Sequence, residues 1–135
     1  MSIMNTTEDI LKGRCLLIVD DDARNRFALV SYLDGMDMTI YTAESGFEAI
    51  ELLHAHEHID IVLMDMMMPE MDGYEATAKI KSNSHTAHIP VIAVTAKAMK
   101  GDREKCLEAG ASEYVSKPVN MKELFEKMAG CLAGV

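Results

Sequence analysis

Three consecutive aspartates, Asp20, Asp21 and Asp22, close an apolar run over residues 15–19, and a fourth, Asp65, closes another over 61–64. A third run, 91–94, ends in Thr95, and a fourth, 114–116, ends in Lys117 and Pro118. Two carboxylates about 4 Å apart repel by roughly 4 kcal/mol at an effective dielectric near 20. A proton or a cation must relieve such a cluster. Mg²⁺ suits a site with few protein oxygens, because it keeps several waters. A carboxylate beside such an ion can accept a phosphoryl group as an acyl phosphate, a transfer that depends on positioning and charge neutralisation. Asp65 is therefore the candidate nucleophile, and Asp20 and Asp21 are candidate metal-binding carboxylates. Lys117 offers an ammonium and Thr95 a hydroxyl to the phosphoryl oxygens, and backbone amides after Asp65 and at Ala96 add donors. Asp22, directly before a helical stretch, is read as the cap of that helix. Pro118 is expected to give a tight bend, in which a cis peptide is admissible.

An acidic triplet alone is an ordinary solvated loop. What distinguishes this chain is the set of elements that must carry these residues. Short unbroken apolar runs between helical stretches are the pattern of a parallel sheet covered on both faces, and ligands in such sheets sit beyond the carboxyl ends of the strands. The runs predict strands near 14–19, 38–42, 60–64, 91–94 and 112–115, with helices near 23–33, 46–55, 73–81, 99–109 and 121–132. The helix starts Ser45…Glu48, Asp72…Glu75 and Asn120…Glu123 carry the capping-box spacing. Gly35 and Gly110 stand where helix C-termini favour a left-handed residue. In the last helix Leu124, Met128 and Leu132 form an apolar stripe, widened by Met121, Phe125 and Cys131, with Lys122, Glu126 and Lys127 expected to face water. The reading is an α/β, doubly wound (βα)₅ domain over residues 14–133, preceded by a polar, weakly structured lead over 1–13.

The 135 residues suffice for one domain with a core. With 13 Lys+Arg against 22 Asp+Glu, the formal charge is −9. That balance argues against nucleic-acid binding, which rests on phosphate neutralisation by basic residues, and against a basic membrane-surface role. No apolar stretch has the length of a membrane span, and the N-terminus lacks a signal-peptide layout. Three cysteines without paired spacing fit a reducing cytoplasm. Cys15 is read as a small buried hydrophobe, and Cys106 and Cys131 as helix residues without a redox role.

The segments LIVDDD (17–22), MDMMMPEMDGY (64–74), VTA (94–96) and GASEYVSKP (110–118) resemble the receiver domain of two-component response regulators, most closely receivers attached to hybrid histidine kinases. The resemblance spans nearly the whole chain. It implies a flavodoxin-like sheet of order 2-1-3-4-5 and a phosphorelay role, in which Asp65 accepts phosphate from a kinase phosphohistidine. It also implies that Asp20, Asp21, Asp65 and the backbone carbonyl of Met67 hold Mg²⁺, that Thr95 and Lys117 contact the phosphoryl group, and that Tyr114 is the switch aromatic. Expected partners are a histidine kinase and a histidine phosphotransfer domain, docking around Arg24, Phe27 and Met68. The last helix lacks the arginine-rich features of receivers that dimerise on DNA, so a monomer or weak dimer is expected.

Two other classes compete. An aspartate-nucleophile phosphohydrolase would need a second acid two residues after Asp65, where Met67 stands. A flavin carrier would need a Ser/Thr/Gly-rich phosphate loop after the first strand, where the acids stand. His54, His56 and His58 invite a metal reading, but they fall at a helix end remote from the aspartates and are read as solvated. Met66, Met67 and Met68 are read as loop, not as a soft-metal site. Met67 and Lys97, each two positions beyond a site residue, offer no acceptor to orient a hydrolytic water, which predicts a long-lived phosphoryl group.

Overall fold

The protein is seen here as a computed structural model that describes residues 7–96 and 101–133. In chain order the elements are α1 (Thr7–Leu11), β1 (Cys15–Val19), α2 (Ala23–Leu33), β2 (Thr39–Ala43), α3 (Gly46–Ala55), β3 (Ile61–Asp65), α4 (Gly73–Ser82), β4 (Val91–Thr95), α5 (Asp102–Ala109), β5 (Glu113–Ser116) and α6 (Met121–Ala133). The strands form one parallel sheet in the order β2-β1-β3-β4-β5. The sequence-based order and fold class are those observed.

Alternate residues of a strand point to opposite faces, so each buried strand feeds two cores. Leu17, Val19, Val62, Met64 and Ala93 pack on one face with Leu53, Ala76, Ile80 and Cys106 of α3, α4 and α5. On the other face lie Leu16, Ile18, Ile61, Leu63, Ile92 and Val94, covered by residues of α1, α2 and α6. β1, β3 and β4 are buried along their whole length, whereas the edge strand β2 is only partly buried. This is why the three central runs read as continuous apolar sequence.

The caps form as their residue types dictate. The Asp22 carboxylate accepts from the Arg24 amide at 2.8 Å, Ser45 from Glu48 at 3.1 Å, Asp72 from Glu75 at 2.9 Å and Asn120 from Glu123 at 3.0 Å. Glu48 reaches back one residue beyond the cap, taking the Glu44 amide at 2.7 Å. Gly110 closes α5 in the left-handed region at φ 113°.

Three expectations change. The lead, expected to be weakly structured, is helical over Thr7–Leu11, and Leu11 is fully buried in the core that α6 covers. Lys127 is half-buried, not turned outward to water. Its ammonium lies back on β5, donating to the Tyr114 carbonyl at 2.6 Å, with Glu123 at 3.4 Å and Glu113 at 3.7 Å. α5 starts at Asp102 among the described residues; the earlier start at 99 falls on residues 97–100, outside them.

Candidate functional site

Strand register brings the candidate residues together. β1 delivers Asp20 one residue past Val19, while β3 and β4 end in Asp65 and Thr95 themselves. Asp65 pairs in register with Val94, and Thr95 with Ser116, which places Lys117 one residue further along the same edge. The Lys117 amide donates to the Thr95 carbonyl at 2.7 Å, and the Lys117–Pro118 peptide is cis. Asp20, Asp65 and Thr95 are buried, whereas Asp21 is exposed.

Carboxylate oxygens of Asp20, Asp21 and Asp65 lie within 4.8 Å of one another, and among the described residues this is the one such group of potential metal ligands. Lys117 Nζ stands 3.5 Å from Asp20 Oδ2 and 3.6 Å from Asp65 Oδ1. Two backbone amides fix the carboxylates: Asp22 donates to Asp20 Oδ1 at 2.9 Å and Met67 to Asp65 Oδ1 at 3.1 Å. Burial pushes the Asp65 carboxyl up to about 6; the Met67 amide and the Lys117 ammonium oppose this, and the charges of Asp20 and Asp21 reinforce it. Three crowded acids with one ammonium between them form a site whose charge a divalent cation would balance.

The loop after Asp65 is tied down from behind. Gly73 donates to the Met66 carbonyl at 3.2 Å. A Cβ at Gly73 would collide with the Asp65 carbonyl oxygen and with Met66 Cα, so only glycine allows α4 to start this close to the site. Met66 and Met68 are buried in the core, while the Met67 side chain is 62% exposed above the loop. Met68 therefore does not belong to the partner surface where the sequence placed it. Alternation along the loop turns it inward, and Met67 occupies the outer position.

Arg24 and Phe27 are exposed on α2 as anticipated. Beside them, a groove of about 300 Å³ runs from Asp20, Asp65 and Lys117 past Leu29 and Tyr32 to Met121. Tyr114 sits mid-strand in β5, packed against the core on the α3–α5 face. His56 and His58 are not merely solvated: His56 stacks on Tyr41 with centroids 4.4 Å apart, and His58 Nε2 lies 3.3 Å from the Tyr41 hydroxyl. Lys97 lies outside the described residues.

Two features escaped the sequence reading. Arg26, four residues after the cap Asp22, reaches the Asp20 carbonyl at 2.6 Å. The one available signal was that spacing, which puts it over the first turn of α2. Tyr74 donates to Asp102 Oδ1 at 2.7 Å across α4 and α5, with Lys105 Nζ 4.3 Å from its ring centroid. No local pattern joins residues so far apart in sequence.

A parallel five-stranded sheet of this order, with its polar residues gathered at the carboxyl edge, defines a flavodoxin-like α/β domain. The chain belongs to the response regulator receiver domain family, whose model matches residues 16–129. It is 36% identical over 119 residues to the polar-differentiation response regulator DivK of Brucella ovis, covering 88% of this chain and 96% of that one. Among solved structures, the receiver domain of the sensor histidine kinase PA1611 of Pseudomonas aeruginosa, with a magnesium ion coordinated in its active-site cleft, is 32% identical with a TM-score of 0.79, over 91% of this chain and 99% of that one. The receiver domain of the Saccharomyces cerevisiae regulator Ssk1, crystallised with the phosphotransfer protein Ypd1, is 26% identical with a TM-score of 0.81, over 91% of each chain. The protein is thus a receiver domain of two-component signalling; the phosphohydrolase and flavin readings are not favoured. No helix among the described residues is long and apolar enough to cross a membrane.

Proposed function

We propose that Asp65 accepts a phosphoryl group from the phosphohistidine of a histidine kinase or a histidine phosphotransfer protein, and that the domain switches or relays the signal through it. The carrying observation is Asp65 itself, buried at the end of β3 with Lys117 Nζ at 3.6 Å and two more carboxylates in reach. An Asp65 carboxylate oxygen attacks phosphorus as the P–N bond to the imidazole breaks. The oxygen–phosphorus bond of an acyl phosphate forms, and the leaving nitrogen keeps the electron pair. Lys117 and Thr95 hold the transferred oxygens, and the amides of the following loops add donors.

Asp20, Asp21, Asp65 and the Met67 carbonyl would hold Mg²⁺, an all-oxygen set that fits a hard cation. When bound, the ion neutralises charge on the phosphoryl oxygens. The exposed Arg24 and Phe27 and the groove beside α2 serve as the docking face for a phosphotransfer partner; the similar Ssk1 receiver was crystallised with the phosphotransfer protein Ypd1. Tyr114 is the element that moves when the charge on Asp65 draws in Thr95. The domain occupies residues 14–133, acts in the cytoplasm as its three free cysteines suggest, and is a monomer or weak dimer. Incubation with acetyl phosphate and Mg²⁺ should add a single phosphoryl group, seen by intact mass and mapped to Asp65. An Asp65→Asn variant that gains as much acid-labile phosphate would sink the assignment.

A further inference from the structure

Arg26 closes the first turn of α2, with its side chain 19% exposed. Its guanidinium spans two loops at the carboxyl edge of the sheet. Nη1 donates to the Asp20 main-chain carbonyl at 2.6 Å, and Nη2 lies 3.9 Å from Glu44 Oε2 in the turn after β2. A second link ties the same two loops, as the Asp20 amide donates to the Ala43 carbonyl at 3.1 Å. Glu44 is itself anchored, its amide donating to Glu48 at the start of α3. Both peptides flanking Asp20 are therefore held, the preceding one by Ala43 at the end of β2 and the following one by Arg26 of α2.

The choice of atom matters. Arginine is a strong bidentate partner for carboxylates, and a guanidinium on the Asp20 carboxylate would occupy the oxygens a cation needs. Here the contact is to the backbone carbonyl. The Asp20 side chain stays available, with Oδ1 toward the Asp22 amide and Oδ2 toward Lys117. The guanidinium thus fixes the peptide from which the carboxylate projects without blocking it.

We propose that Arg26 is a positioning residue for the acidic site: it locks the β1–α2 loop against the β2–α3 loop, so that the Asp20 carboxylate is presented for Mg²⁺. This rests on the phosphoacceptor reading above. The proposal makes a prediction whose sign separates it from simple electrostatics. Removing a positive charge beside three carboxylates should by charge alone tighten Mg²⁺ binding. Loss of positioning should weaken it, and outer-shell partners of metal ligands are typically worth about 10- to 100-fold in affinity.

Calorimetric Mg²⁺ titrations of the parent, Arg26→Ala, Arg26→Lys and Glu44→Gln decide the matter, with each fold checked by amide spectra. Arg26→Ala is expected to raise the Mg²⁺ dissociation constant by about tenfold. Arg26→Lys keeps the charge but loses the fork, so it should recover less than half of that loss on a logarithmic scale. Glu44→Gln, which leaves the Asp20 contact in place, should weaken binding by roughly two- to threefold, a small share of the outer-shell range. With acetyl phosphate as donor, the Arg26→Ala deficit should shrink as Mg²⁺ is raised to saturation. Tighter or unchanged Mg²⁺ binding in Arg26→Ala overturns the proposal, as does full rescue by lysine. Should the alanine variant not fold, the lysine and glutamine variants decide alone, and parental affinity in both overturns it. A parent that binds no Mg²⁺ overturns the phosphoacceptor reading and this proposal together, whereas a parent that binds while the variants match it overturns this proposal alone.

Discussion

Asp65 is held against its own charge. Its carboxyl titrates near 6 in the fold against an ordinary value of 3.8, chiefly because it is buried. A raised acid contributes stability below its unfolded value and loses it as pH rises through the folded one. Without divalent cation, ionised Asp65 should therefore destabilise the protein above pH about 6, by on the order of 2 kcal/mol. Asp65→Asn should melt higher than the parent in EDTA at pH 7.5, and the gap should close towards pH 4. Added Mg²⁺ should narrow the difference at neutral pH by stabilising the parent. Equal melting temperatures at both pH values would mean that the site is not strained. Much of this was legible in the residues, because Asp20, Asp65, Thr95 and Lys117 each close an apolar run, and a parallel sheet must line such run-ends up. Met68 was misplaced because three successive methionines carry no periodicity, and only the loop's path decides which of them turns inward. Arg26 was missed because its partner is a backbone carbonyl, which leaves no mark on side-chain pattern.

At the scale of elements, α4 and α5 are joined by Tyr74 and Asp102. The phenol is pushed above its usual range by burial first and by Asp102 next, so it remains a donor across the physiological range. The other carboxylate oxygen, Asp102 Oδ2, is buried without a hydrogen-bond partner among the described residues. Among the described residues the Tyr74 bond is thus the one that offsets the burial of this carboxylate, and a hydrogen bond to a charged group is worth about 1.5–3 kcal/mol. Tyr74→Phe keeps the ring and its contact with Lys105 while removing the bond. It should lower stability in urea by roughly 1.5 kcal/mol and speed amide exchange in α5 more than in α6. Equal exchange in both helices would show that the pair does not pin α5. The helices and strands themselves could be read from apolar runs and caps, but their edges slipped. β3 runs to Asp65 and β4 to Thr95 because the ladder continues through the polar residue that ends each run, and an apolar pattern stops one residue short of it. α1 was invisible for a different reason. A helix of 5 residues has no stability of its own, and burial of Leu11 in the core beneath α6 is what holds it.

Across the whole molecule, the chemistry is sorted by sheet edge. The aspartates, Thr95 and Lys117 occupy the carboxyl edge, and the chain's five histidines, His54, His56, His58, His85 and His88, all precede β3 or β4 at the other. His54, His85 and His88 share one cavity there with Glu57, while His56 and His58 stack around Tyr41. A strand of five residues such as β3 separates the two rims by about 15 Å. The arrangement equips the molecule with spectator nuclei. Imidazole proton resonances are well resolved, and here every one of them sits away from the Asp65 carboxylate. During titration with a phosphodonor at constant pH they should hold still, while the Tyr114 ring signals shift. A displaced His85 or His88 resonance at constant pH would mean that modification at one rim is felt at the other. The unaltered chain therefore carries its own internal reference for judging how far a phosphoryl group's influence extends, with no label to introduce.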